Sequence, residues 1–419
     1  MDYKAPRGTH DLWGANARKL HALEETCRRV FQKFDYSEIK FPTFEDAALF
    51  TRSIGEATDI VEKEMYVFED RKGRRLSLRP EGTASVVRAY LENGLAQSMP
   101  LGKFFYCGSM FRYERPQAGR YREFYQIGAE YFANPGPAAD AEVIVLARDV
   151  LRAAGISEMT VHLHTLGCPS CRPSFRKSLA DYLSTQEGLC ADCCRRVVTN
   201  PLRVLDCKID SPRLTDLPRM VDFLCGECVQ HFAGVQELLR AAQCAYEIDT
   251  RLVRGLDYYT RTIFEIRSAH LGSQDALAAG GRYDNLVKDL GGPQTPAVGF
   301  ALGSERVLMA AEKLNTGIEA PAPRVIFIAV AGKSLEREAF RLAAHLRSLP
   351  APGALLPGAI AFSVEGPFAD KSLKSQFRLA DKLCAEKVII FGEAEFQRDA
   401  VTVRDMATQN QEEILIGSF

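Results

Sequence analysis

The chain has 419 residues, with 53 lysines and arginines against 54 aspartates and glutamates, a formal net charge of −1, and 46% hydrophobic and 26% charged residues. That length accommodates two or three domains with sizeable cores, and the composition excludes a disordered chain. The near-zero charge argues against a general polyanion-coating protein, although basic runs such as RKGRR at 71–75 leave room for local nucleic-acid contacts.

The N-terminal MDYKAPRGTHDLWG has no apolar signal core, and nowhere does an apolar run reach the roughly 18 residues that span a bilayer. A cytoplasmic protein with no membrane partner is the expectation. Residues 13–34 place Leu20, Leu23, Cys27, Val30, Phe31 and Phe34 at three- and four-residue intervals, predicting a helix with one buried face. Short β-like runs follow at EMYVFED, RLSLRP, KFFYCGSMFRYE and REFYQIGAEYFA; with no helical crossover between the last two, they are predicted to pair antiparallel. A helix at 141–153 and a strand at EMTVHLHT lead into a cysteine-rich region. The chain returns through CAYEIDTRLV and YYTRTIFEIRS to a helix in ALGSERVLMAAEKL.

This order predicts an α+β protein: one mainly antiparallel sheet built from 1–159 and 245–319, interrupted by an insertion at 160–244. After the proline-bearing linker EAPAPR, strand RVIFIAVAG, helix 334–347, strand AIAFSVEG, helix 370–383 and strand KVIIFGE alternate. Such alternation predicts a parallel sheet of βαβ units, a separate α/β domain at 324–419.

The stretch FRYERPQAGRYREFYQIGAEYF at 111–132 sets Arg112, Arg115, Arg120 and Arg122 among aromatic side chains, which requires anionic partners for the guanidiniums. Period two puts Arg112 and Glu114 on one face of the first strand. Gln126, Gly128 and Glu130 share a face of the second, where Gly128 leaves space between two polar groups. Arg122 and Glu123 read as a local ion pair. His162 and His164 sit on a strand outside every motif and read as structural.

With these go Glu81 in LRPEGTA, Arg254 and Tyr259 in RLVRGLDYYTRTIFE, Tyr283 in GGRYDNLV and Arg306 in GFALGSERVL. Together they resemble the histidyl-tRNA synthetases, in their bacterial form. Residues 105–132 and 299–309 resemble the second and third motifs of class II aminoacyl-tRNA synthetases, and Pro42 in KFPTFED falls at the proline of the first. LVRGLDYYTRT, GGRYD and APRGTHD resemble signatures of the histidine enzymes, while KSLKSQFRLADKL with IIFGEAE resembles their anticodon-binding domain.

The resemblance implies a class II antiparallel-sheet catalytic domain, a homodimer, and ATP-dependent activation of L-histidine followed by transfer to tRNA(His), with Mg²⁺ accompanying ATP. It implies catalytic roles for Arg254 and Arg112 and ATP contacts from Arg112, Glu114, Arg120 and Arg306. It assigns Glu81, Thr83 and Gln126 to the histidine ammonium, and Glu130, Tyr259 and Tyr283 to the imidazole. Gln117, in the loop at 115–120, would read the extra 5′ guanosine of the tRNA. Separately from the resemblance, Lys371, Lys374 and Arg378 on one helix of the C-terminal domain are candidates to meet phosphates, with a solvated helix face as the alternative reading. A rival with the same core is the non-catalytic regulatory subunit of ATP phosphoribosyltransferase; the presence of Arg112, Arg254 and Arg306 disfavours it.

Eight of the 12 cysteines lie between Cys168 and Cys228. CPSC at 168–171, CADC at 190–193 and CGEC at 225–228 are candidate Zn²⁺ pairs. Spacing alone would join the first two. Turn chemistry favours Cys168, Cys171, Cys225 and Cys228, because Pro169 and Gly226 bend the chain whereas Ala191–Asp192 can begin a helix. The alternative is a set of buried thiols without metal.

Overall fold

A computed structural model describes residues 3–55, 58–99, 101–117, 119–318, 324–349 and 362–419. Two compact units emerge, Met1–Ala320 and Pro321–Phe419. Among the described residues no helix is long and apolar enough to cross a membrane.

The first unit opens with the helix Gly14–Lys33, which buries Leu20, Leu23, Cys27, Val30 and Phe31 as the periodicity predicts. Its strands in chain order are β1 Ser37–Glu38, β2 Phe44–Asp46, β3 Val67–Glu69, β4 Arg75–Leu78, β5 Lys103–Phe111, β6 Glu123–Phe132, β7 Thr160–Thr165, β8 Tyr246–Ile248, β9 Thr260–Arg267, β10 Ala276–Arg282 and β11 Ala297–Gly303. Eight form one sheet in the order β1-β5-β6-β11-β10-β9-β7-β8, and β2-β4-β3 form a small second one. The large sheet is antiparallel except for its two edge pairs, β1–β5 and β7–β8.

Alternation sorts the two faces of this sheet. Phe105, Ile127, Ala129, Tyr131 and Phe300 pack with helices Gly14–Lys33, Pro137–Ala153, Gly226–Ala241 and Ser304–Lys313 in one core. The intervening Phe104, Tyr106 and Phe132 join Tyr258, Tyr259 and Tyr283 in another. One face is therefore roofed by helices and the other carries the aromatic floor of a cleft. Burying each large apolar side chain contributes about 1.5–3 kcal/mol.

A buried ion pair fixes the roof to the sheet. Arg282 of GGRYD, wholly inaccessible, meets Asp140 on helix Pro137–Ala153 and also donates to Asn134 O at 3.1 Å and Gly136 O at 3.2 Å. His231 of helix Gly226–Ala241 lies 3.3 Å from the same carboxylate. Three elements thus converge on one buried carboxylate.

Several expectations change. Residues 160–165, counted with the insertion, are β7 of the main sheet, and helix Gly226–Ala241 packs in the main core, so the cysteine-rich core is drawn from residues between Cys168 and Val253. Helix Pro137–Ala153 starts four residues before the predicted 141 because Pro137 sits in its first turn, where a missing N–H costs nothing. Arg112 and Glu114 lie beyond the end of β5, not on it.

The second unit contains β12 Arg324–Val330, β13 Phe362–Glu365, β14 Ala385–Phe391, β15 Ala400–Asp405 and β16 Gln411–Leu415, with helices Glu336–Ser348 and Leu373–Lys382. The order is β13-β12-β14-β15-β16. The first three are parallel, as βαβ alternation predicts, but β15 and β16 add an antiparallel hairpin, so the sheet is mixed rather than parallel. Apart from Arg324, the linker EAPAPR lies outside the described residues, as does the start of the predicted strand AIAFSVEG.

Candidate active site

The bare face of the large sheet bounds a cleft of about 630 Å³. Glu81, Thr83, Arg112, Glu114, Arg120, Gln126, Arg254, Tyr259, Tyr283 and Arg306 all line it, although they come from five separate sequence segments. Glu130 lies just beneath, and Gln117 lies in the loop outside it.

Each side chain is placed by a local cause. Glu81 accepts from the backbone N–H groups of Thr83 at 2.7 Å and Ala84 at 2.9 Å, so it caps helix Thr83–Glu92 as well as facing the cleft. Thr83 Oγ1 donates to Glu130 at 2.7 Å, and the Tyr283 hydroxyl donates to the other Glu130 oxygen. Gly299 on β11 stands opposite Glu130 on β6, and a Cβ there would overlap the carboxylate. Burial pushes the Glu130 carboxyl from 4.5 up to about 8, against the lowering effect of its two hydroxyl partners. Glu81 is also raised, again by burial first. Burial likewise lifts the Tyr259 hydroxyl to about 12.

Gly128 does leave space, but Tyr106 fills it: its ring packs where Cβ atoms of Gly128 and Gly82 would be. The Tyr106 hydroxyl and Gln126 Oε1 are buried with no hydrogen-bond partner among the described residues. Both belong to residues lining the cleft.

The cationic wall is built differently. Arg112 donates to Pro80 O at 2.8 Å and lies over the Phe124 ring at 5.5 Å. Arg120 Nε is 2.6 Å from Glu114, and Arg112 is 4.0 Å from it, so Glu114 holds both. Arg306, on the first turn of helix Ser304–Lys313, donates to Gly119 O at 3.1 Å and Ala276 O at 3.2 Å. Arg254 pairs with Glu265 of β9, whose other oxygen meets Arg267 at 3.1 Å. Gln117 and Arg120 exchange backbone hydrogen bonds at 3.0 and 2.9 Å, closing the tip of the loop between β5 and β6.

Sequence reasoning missed Tyr106, Glu265, and the exposed Asp206 and Lys208, which the cysteine-rich region contributes to the cleft wall. Period two would have found Glu265, two residues before Arg267 on β9; no signal marks Asp206. Arg122 does not pair with Glu123: its guanidinium lies 3.8 Å from the Tyr113 ring centroid, and Nε donates to Glu114 O. His164 is buried and pushed down to about 4 by that burial, and neither it nor His162 joins a ligating cluster among the described residues. Lys371 precedes helix Leu373–Lys382, which Ser372 caps, so only Lys374 and Arg378 share that helix, both exposed.

The sulfurs and oxygens of the cysteine-rich region form two sets, each with four ligand atoms within 4.8 Å of one another. One is Cys168, Cys171, Cys225 and Cys228, the set that turn chemistry selects. Its Cys168–Cys171 and Cys168–Cys225 sulfurs are 3.5 and 3.9 Å apart, and Cys225 N–H donates to the Cys171 sulfur at 3.1 Å. The other is Cys190, Cys193, Cys207 and Asp210.

A helix-backed antiparallel sheet whose open face gathers arginines from separate motifs over buried carboxylates is the class II synthetase fold, here joined to a C-terminal anticodon-binding domain. The family model described as histidyl-tRNA synthetase matches residues 8–170 and 216–307, and that described as anticodon binding domain matches 325–419. A histidine–tRNA ligase of Endomicrobium trichonymphae is 54% identical over 419 residues, covering 100% of both chains. The crystal structure of apo S. aureus histidyl-tRNA synthetase superposes with a TM-score of 0.81 at 31% identity, covering 99% of this chain and 98% of that one. A Bacillus halodurans structure described as an ATP phosphoribosyltransferase regulatory subunit/histidyl-tRNA synthetase has a TM-score of 0.67 at 18% identity over 93% and 98%, a likeness of fold alone. The chain belongs to the histidyl-tRNA synthetase family.

Proposed function

We infer that the chain is an ATP-dependent histidine–tRNA ligase, and we propose the following division of labour within its cleft. The observation that carries it is the convergence of Arg112, Arg120, Arg254 and Arg306 on one cavity that Glu81 lines, with Glu130 buried just beneath. Joining an amino acid to ATP brings a carboxylate against an anionic α-phosphate, so positive charge fixed beforehand lowers the barrier. Guanidinium suits this because it stays charged and grips phosphate oxygens in a fork. Arg112 and Arg254 serve the reacting α-phosphate and carboxylate. Arg120 and Arg306 hold the rest of ATP, with Glu114 steadying the nucleotide and Mg²⁺ neutralising its phosphates. The α-carboxyl of histidine, with a pKa of about 3.3–3.7, is already ionised at neutral pH, so the step needs no enzyme base.

Glu81, Thr83 and Gln126 take the ammonium end of histidine. Glu130, Tyr259 and Tyr283 take the imidazole, which both donates and accepts hydrogen bonds. A wall of this polarity rejects apolar analogues by roughly 10⁴–10⁵ without a second checking site. Gln117 reads the 5′ guanosine of tRNA(His), and Lys374 and Arg378, with Lys371 beside them, meet phosphates on the anticodon side. Residues 1–165 and 245–319 carry the chemistry and 324–419 the tRNA recognition, in a cytoplasmic homodimer. Cys168, Cys171, Cys225 and Cys228 hold a structural Zn²⁺; their sulfur spacing suits a tetrahedral ion.

ATP–pyrophosphate exchange measured with each of the twenty amino acids tests the reading. Exchange with histidine alone is the expected result. Its absence from correctly folded protein would favour the regulatory-subunit alternative.

A further inference from the structure

The Cys190, Cys193, Cys207 and Asp210 set shares no residue with the Cys168 set and falls wholly in 171–215, the segment that the synthetase family model leaves unmatched. Its geometry is specific. Cys190 immediately precedes helix Ala191–Thr199 and Cys193 lies in its first turn, so their side chains converge. Cys207 and Asp210 occupy a turn in which Asp210 N–H donates to the Cys207 sulfur at 3.4 Å. The Cys190 and Cys207 sulfurs are 3.9 Å apart. Two sulfurs on a tetrahedral zinc, each at about 2.3 Å, would be about 3.8 Å apart.

Asp210 is wholly inaccessible, and its two oxygens have different work. Oδ1 accepts from Arg213 Nη2 at 2.8 Å, while Oδ2 faces the sulfurs, 3.7 Å from Cys207 and 3.0 Å from the Cys190 backbone nitrogen. Three sulfurs gathered against a buried carboxylate call for a cation among them.

We propose that Cys190, Cys193, Cys207 and Asp210 form a second zinc site that positions one wall of the catalytic cleft. Leu205, Asp206 and Lys208, on either side of Cys207, line the cleft. Ser211, next to Asp210, and Leu214 accept from the Arg251 guanidinium at 2.7 and 2.8 Å. Arg251 stands three residues before Arg254. An ion that fixes Cys207 and Asp210 therefore fixes both the 205–208 wall and the anchor of the loop bearing Arg254. On binding, the ion displaces the thiol protons to solvent.

The test uses full-length protein prepared without chelator and with zinc supplied. Wild type should hold two zinc per chain, and both the Cys190→Ser/Cys207→Ser and the Cys168→Ser/Cys225→Ser variants one. Cobalt substitution should show thiolate-to-metal absorption from both sets in wild type. Asp210→Asn, which keeps the volume and all three sulfurs, should lose the second zinc to a competing chelator roughly tenfold or more faster. A single wild-type zinc lost from the Cys190/Cys207 variant would uphold this site and remove the Cys168 one. A wild type holding only one zinc, with that zinc still present in the Cys190/Cys207 variant, or a wild type holding none, would overturn it. The zinc count is independent of the proposed ligase roles. The expected slowing of adenylation in the Cys190/Cys207 variant, with the histidine KM little changed, rests on them.

Discussion

Arg254 pairs with Glu265 through a terminal nitrogen, while its buried Nε has no hydrogen-bond partner among the described residues. A guanidinium held at one end and open at the other is set to receive an anion. Arg254→Ala should slow single-turnover adenylation by about 10²–10³, or roughly 2.7–4 kcal/mol, with histidine and ATP binding changed far less. A rate within a few-fold of wild type would remove Arg254 from the reaction. Glu130 gives a second prediction, through pH. Its carboxyl titrates near 4.5 in the unfolded chain and at about 8 when folded, with burial as the main cause. The stability it contributes is complete below about 4.5 and is lost as pH rises toward 8, because the unfolded chain releases its proton first. Gln cannot ionise. The melting temperature of Glu130→Gln should therefore gain on wild type between pH 5 and pH 8; an unchanged difference would mean that Glu130 titrates normally.

Elements were legible where burial imposes a period. Helix Gly14–Lys33 shows its stripe, β5 and β6 their alternation, and the motif residues Glu81, Gln126, Tyr259 and Tyr283 reach one cleft. β16 was missed because Gln411–Leu415 is almost wholly exposed and so carries no apolar rhythm. The second ligating set was hidden for a chemical reason: CKID at 207–210 repeats the spacing of CxxC but ends in a carboxylate. Tyr106 was hidden because it fills room made by glycines far away in sequence. The interior amide Gln376 belongs at this scale too. From helix Leu373–Lys382 it accepts from Val330 N–H at 3.0 Å and donates to Val330 O at 2.9 Å, binding helix to strand as a wholly buried group. Gln376→Ala would strand both backbone groups at about 1–3 kcal/mol. Urea unfolding should show the C-terminal unit's transition at lower concentration while adenylation stays at the wild-type rate; an unmoved transition would mean that the amide pairing is dispensable.

For the whole molecule, the cores are separate. The residues that bury Leu23, Phe31 and Phe264, and those that bury Tyr106 and Tyr283, all come from the first unit, whereas the clusters around Ile328 and Phe391 and around Phe327 and Val388 come only from the second. Each unit thus has a hydrophobic core of its own, as a domain able to fold independently does. Every proposed contact to histidine and ATP lies before residue 320, and the family model for anticodon binding matches 325–419. Removing residues 324–419 should therefore leave histidine-dependent pyrophosphate exchange within a few-fold of wild type. Aminoacylation should fall by at least about 10²-fold, because the lost domain supplies binding to tRNA and every 1.4 kcal/mol is a factor of ten. The loss should be largest at low tRNA concentration and partly recovered as tRNA is raised, since the reacting groups remain in place. Equal loss in both assays, from truncated protein with native circular dichroism, would mean that the second unit takes part in forming the adenylation site.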